Sequence, residues 1–320
     1  MIAALIKMAV TAGLIWWLSL TIDLQELHRS LGGVSHLALV LAAAILVLQA
    51  LVVAWRWHRI VRMLCGHLSV RKSVQWVFVG LFFNQALPTS VGGDAIRIWS
   101  LHRSGTAPGL AFTSVAVERA TGLAALGIVI SLCALVYGRA LSPGTMAALV
   151  VSGPLLVAVL IALARLDGLA AKWLPASIST HVDNLARGLR TLARSSRYLV
   201  EIGALGIAAQ CLIIAAAYVL GHGLGIDVPF GVYVLIVGGA ILLSLLPVSL
   251  GGWGLREAGM VVLAGAFGLP PAPVVALSVT WALLPLLLSL PFGFHWLLGN
   301  HPRAAEVRGS LTAPRPEDTA

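Results

Sequence analysis

The sequence predicts an all-α polytopic membrane protein, with about six full spans and two re-entrant or broken-helix hairpins in an inverted-topology repeat. Three observations carry this expectation. Hydrophobic residues make up 59% of the 320-residue chain and charged residues 10%, whereas soluble domains carry roughly a quarter charged residues. The mean hydropathy is +0.96, and the apolar residues fall into stretches of about 20, enough to cross about 30 Å of hydrocarbon. A short phrase also occurs twice, 159 residues apart: Leu87-Pro88-Thr89-Ser90-Val91-Gly92-Gly93-Asp94-Ala95-Ile96-Arg97 and Leu246-Pro247-Val248-Ser249-Leu250-Gly251-Gly252-Trp253-Gly254-Leu255-Arg256.

The full spans are expected at about Lys7–Ile22, His36–Trp55, Gly109–Val136, Met146–Ala164, Glu201–Leu220 and Pro273–Leu298. Trp16-Trp17 in the first suits a membrane-interface belt rather than a signal peptide. Two regions, about Ser73–His102 and Phe230–Phe267, are broken by the repeated phrase. The arm after each phrase has about fourteen residues or fewer, too short to span at 1.5 Å per residue. Each region therefore reads as a hairpin, with non-helical backbone at membrane depth sheltered by protein or a water-filled cavity.

Positive charge orients this layout. With a cytoplasmic N-terminus and hairpins that return to their side of origin, 16 Lys and Arg fall inside, including Arg56, Arg59, Arg62, Arg71 and Lys72. Only Arg29 and Arg139 fall outside. Both termini are then cytoplasmic. Repeat A, about 36–136, recurs upside down as repeat B, about 201–298, within one transmembrane domain, 1–300. Residues 301–320, rich in Pro, Ala and charge, form an expected disordered cytoplasmic tail. Between the repeats, Val182, Leu185, Leu189 and Leu192 oppose Arg187, Arg190, Arg194 and Arg197. This predicts a basic amphipathic helix over about 180–198 on the cytoplasmic surface, or simply a basic loop that is helical.

The net charge of +9 belongs to loops that meet anionic headgroups, not to a nucleic-acid surface. Cys65, Cys133 and Cys211 are isolated, and the nine histidines show no metal-ligand spacing. The sequence thus suggests no metal and no cofactor.

Charged residues at membrane depth are costly and usually have a partner or a role. Asp94 and Arg97 lie one helical turn apart. Asp94 reads as a functional acid, as a structural partner of Arg97, or as the cap of the returning arm. Adjacent residues point away from each other on a helix, so Glu118 and Arg119 need other partners, among them Arg97 and Asp94. Arg256 and Glu257 form the counterpart in repeat B, with Trp253 in place of the acid. Arg97 and Arg256, with the half-helix N-termini, suit a phosphate approached from opposite sides, unless each snorkels to its own interface. Pro88, Gly92, Gly93, Pro247, Gly251, Gly252 and Gly254 shape the hairpin tips. Asn84 can satisfy backbone groups freed there. Pro285 and Pro291 kink the last span.

These motifs resemble the lysylphosphatidylglycerol synthase transmembrane, or flippase-like, family. The first is Asn84-x-x-Leu87-Pro88…Gly92-Gly93-Asp94-x-x-Arg97 with Glu118-Arg119. The second is Pro247…Gly251-Gly252-Trp253-Gly254-Leu255-Arg256-Glu257. The resemblance covers about residues 5–300. It implies a bacterial inner-membrane protein that moves an anionic lipid or lipid-linked precursor between leaflets, with membrane lipids as partners. Members fused to an aminoacyltransferase domain handle aminoacylated phosphatidylglycerol. That domain is not expected here, so lysyl transfer is not carried over. The function expected is a non-enzymatic flippase. A lipid-modifying transferase using Asp94 or Glu118, or a non-catalytic subunit partnering a biosynthetic enzyme, are the alternatives.

Overall fold

The computed structural model describes residues 32–64, 66–86, 92–165, 175–245, 252 and 254–299, with scattered positions between 11 and 27. Most of the expected first span, with Pro88, Pro247, Gly251, Trp253 and the tail 301–320, lies outside the described residues. The described regular structure is helical: α1 (His36–Leu64), α2 (Val70–Ala86), α3 (Gly92–Arg103), α4 (Pro108–Tyr137), α5 (Pro143–Arg165), α6 (Ala176–Arg194), α7 (Ser196–Gly223), α8 (Phe230–Ser244), α9 (Leu255–Gly265) and α10 (Pro271–Leu298).

Among the described residues, α1, α4, α5, α7 and α10 are long and apolar enough to cross a bilayer. The chain is a multi-pass membrane protein. Helix starts follow local chemistry. Pro108 and Pro271 open α4 and α10, where a missing N–H costs nothing. Ser69 caps α2, its Oγ accepting the Lys72 N–H at 3.3 Å. Pro154, Pro285 and Pro291 lie inside otherwise continuous helices.

Two expectations at helix ends need correction. The span expected to stop at Trp55 continues to Leu64, because Arg56 and Arg59 of its last turns find carboxylate partners in Glu118 and Glu201. Arg56 is 3% exposed and belongs to the interior, not to a cytoplasmic loop. The basic amphipathic helix ends at Arg194, and Arg197 and Tyr198 begin α7. Its apolar face is covered by the bundle: Leu189 and Leu192 pack with Ile60, Val117 and Ile202.

The two broken regions are each divided into two helices. α3 and α9, of 12 and 11 residues, span only about 17 Å at 1.5 Å per residue. Arms α2 and α3 touch through glycine. A Cβ on Gly93 would stand 1.9 Å from the Gly80 carbonyl oxygen, so only hydrogen fits. In the other pair, Gly259 of α9 lies against Leu243 and Ala240 of α8. Gly252 and Gly254 have φ of +84° and +80°, left-handed values that favour glycine. The stretch Val234–Gly238 of α8 winds as a π-helix and is wholly buried. It sits in the largest apolar core, formed with α1, α4, α7 and α10. The leading helices α1 and α7 pack closely on each other. α2 lies along α10 through aromatic pairs, including stacked Phe78–Phe292 at 4.5 Å.

Candidate functional site

The first broken region delivers its charges to the centre of the bundle. Asn84, near the end of α2, accepts the Gly93 N–H through Oδ1 at 2.8 Å. This bond joins the arms and satisfies an otherwise orphaned donor at the start of α3. Asp94 therefore need not cap the helix, and its carboxylate turns to cations. It receives Arg119 Nε at 2.8 Å and Nη2 at 2.8 Å in a two-pronged pair. It also lies 3.5 Å from Arg97 Nη1.

Glu118 points the other way round α4, as adjacency on a helix requires. Its Oε2 accepts from Arg97 Nη1 at 3.2 Å, and its Oε1 pairs with Arg56 of α1. The result is one alternating series, Arg56–Glu118–Arg97–Asp94–Arg119. Arg56, Arg97, Asp94 and Glu118 are each 8% exposed or less. Trp57 lies under the Arg97 guanidinium at 4.3 Å and donates its indole N–H to Ser114 Oγ at 3.2 Å. The aromatic face adds attraction for the cation in a dry setting.

The series has three cations and two carboxylates. Nε and Nη1 of Arg56, and Nε and Nη2 of Arg97, are buried without a hydrogen-bond partner. Arg119 is the open member, with 53% of its side chain exposed. Arg56, Arg97, Glu118 and Arg119 all line a cavity of about 320 Å3. The amides of Gln49, Asn84 and Gln210 also face it, among apolar residues of α1, α2, α7, α8 and α10. Ligand pockets are commonly of this kind: mostly apolar, with a few convergent polar groups.

Arg256 and Glu257 form a separate group. Although adjacent, they pair directly, and Arg256 Nε lies 3.0 Å from Glu257 Oε1. Ser278 of α10 donates to that same oxygen at 3.1 Å. The other carboxylate oxygen accepts the Gly254 N–H at 2.7 Å, so Glu257 also caps α9. Trp281 joins the two groups. It lines the central cavity and lies 5.8 Å from the Arg256 guanidinium.

The structure thus brings together Asp94, Arg97, Glu118, Arg119 and Asn84. It sets Arg256 and Glu257 behind Trp281. Sequence reasoning missed Arg56, Trp57, Trp281 and the amides Gln49 and Gln210. The only signal for Arg56 was its position straight after an apolar stretch. Its partner Glu118 is 62 residues away. Gly92 and Gly93 open α3, and Gly252 and Gly254 precede α9.

No curated protein is matched by the sequence. The family described as the lysylphosphatidylglycerol synthase TM region matches residues 4–293. That span includes both broken regions, the charge series and the Arg256–Glu257 pair, and the chain belongs to this family.

Proposed function

We propose that this protein is a flippase-type transporter, which carries an anionic lipid or lipid-linked precursor between leaflets of a bacterial inner membrane. The observation that carries this reading is the charge series at the cavity wall. It holds one more cation than carboxylate, and four of its buried guanidinium nitrogens have no partner. A buried donor without an acceptor is costly, and a phosphate oxygen is the acceptor that guanidinium geometry suits best. Both carboxylates are already committed to arginines. A cationic aminoacyl headgroup finds no free anion there, whereas a phosphate finds free donors.

The arrangement of elements supports the same reading. In each half, a long helix, a broken pair and a second long helix follow one another, with the repeated phrase between the arms. Read as an inverted-topology repeat, this is the plan on which many transporters alternate access around a central site. The hairpins are then re-entrant, repeat A is about 36–136, and repeat B is about 201–298. Arg97 and Arg119 meet the headgroup, Asp94 and Glu118 hold those cations when the site is empty, and Arg256 with Glu257 acts through Trp281. The tails remain in lipid beside the opening. Both termini face the cytoplasm.

The test uses purified protein in vesicles that carry candidate lipids with labelled headgroups, read by leaflet distribution. Wild type is expected to translocate at least one anionic lipid faster than protein-free vesicles. Arg97→Gln is expected to abolish that rate while the protein stays folded, since Glu118 keeps Arg56 and Asp94 keeps Arg119. Translocation at the protein-free rate for every lipid, with failed synthesis of one lipid class in cells lacking the protein, would favour a transferase or partner subunit instead.

A further inference from the structure

A second cavity, of about 500 Å3, lies where α1 ends, α2 begins and α3 ends. His58, Arg62, His67, Ser69, Lys72 and Ser104 line it. It shares none of its lining residues with the central cavity, and no carboxylate is among its described lining residues. Arg62, His67 and Lys72 are exposed. His58 is 5% exposed; its ring meets the Leu68 backbone, while its Nδ1 is buried without a hydrogen-bond partner. Native proteins rarely leave such an atom unpaired, and a group from outside the chain can supply its partner. The start of α2, capped by Ser69, adds the partial positive charge of a helix N-terminus.

We propose that this cavity is a phosphate-binding site, in which Arg62, Lys72 and the start of α2 receive the anion and the buried imidazole of His58 closes over it. A bound anion favours the protonated ring, which then donates from Nδ1. Ser69 and Ser104 offer hydroxyls at the rim. The site lies in series with the central one. On α1, Arg62 is six residues beyond Arg56, about 9 Å along the axis, and Ser104 comes seven residues after Arg97, just past the end of α3. The phosphate is that of a lipid headgroup or of a soluble phosphate compound, and the chemistry is common to both.

The experiment uses the full chain in phosphatidylcholine nanodiscs with two probes. One is radiolabelled inorganic phosphate, read by equilibrium binding. The other is phosphatidic acid, read by its retention in native mass spectrometry. Saturable binding of at least one probe is expected. Arg62→Gln combined with Lys72→Gln is expected to weaken it about tenfold or more, in line with the loss of two charge-assisted contacts. His58→Gln is expected to weaken it severalfold without altering thermal stability. Phosphatidic acid that resists excess inorganic phosphate identifies a lipid source, and displacement identifies a soluble one. The proposal is overturned if neither probe saturates. It is equally overturned if Arg187→Gln with Arg194→Gln on α6 weakens binding as much, or if Arg97→Gln alone removes it, which would place the probe in the central cavity.

Discussion

Arg97 has a carboxylate on either side, but the two are not equal: Glu118 is at 3.2 Å and Asp94 at 3.5 Å. This inequality separates two substitutions that look alike in the sequence. Glu118→Gln removes the one charge that serves both Arg56 and Arg97, whose side chains are 4% and 5% exposed. Leaving buried cations unpaired costs about 3–5 kcal/mol, so this variant should unfold at markedly lower temperature in detergent. Asp94→Asn removes the partner of Arg119, the least buried cation of the series, with 53% of its side chain exposed. Its stability should stay near wild type while translocation is lost. If Asp94→Asn transports normally, Asp94 is structural and the series is a scaffold. The charged doublet and the Asp94–Arg97 turn were legible in the sequence, because charge inside an apolar stretch stands out. Their partners were expected among one another, and Glu118 does meet Arg97 while Arg119 meets Asp94. What the sequence did not rank is that Asp94 is held by Arg119 through two bonds more closely than by Arg97. Arg56 was hidden because the positive-inside pattern assigned it to a loop, and only tertiary packing shows it to be buried.

At the scale of elements, the close approach of α2 and α3 fixes where the charges sit. Gly93→Ala would place its Cβ 1.9 Å from the backbone oxygen of Gly80, and backbone cannot rotate away. This variant should force the arms apart, with lower yield and loss of translocation. Gly80→Ala meets mainly the flexible stem of Arg97 at 3.2 Å and the Gly93 oxygen at 3.3 Å, so it should be the milder change. The ratio of folded protein recovered after detergent extraction checks the ordering. Gly254→Ala adds a second kind of strain. Its φ of +80° costs a residue with a Cβ roughly 1–2 kcal/mol, and Leu14 lies 3.0 Å from the new atom. Hydropathy located α4, α5, α7 and α10 to within a few residues, since apolar length is the property a bilayer selects. It placed the end of α1 nine residues early, because that helix outlasts its apolar stretch once Arg56 and Arg59 find Glu118 and Glu201.

For the whole molecule, the orientation read from positive charge makes a direct prediction. His222, in the last turn of α7, should lie outside. His222→Cys, in a chain whose native cysteines are replaced, should react with an impermeant thiol reagent in intact cells. Reaction only after lysis would reverse the orientation and remove the inverted-repeat reading. The surplus of one cation in the central series has a further consequence under that reading. A phosphodiester brings one negative charge, so the loaded site is neutral and the empty site is not. Membrane voltage then acts on the empty protein and ignores the loaded one, at about 2.3 kcal/mol per charge for each 100 mV across the full field. On the flippase reading, an inside-negative potential would hold the vacant site open toward the cytoplasm and leave the outward passage of a neutralised cargo unopposed, so that direction would arise from the resting voltage of the cell.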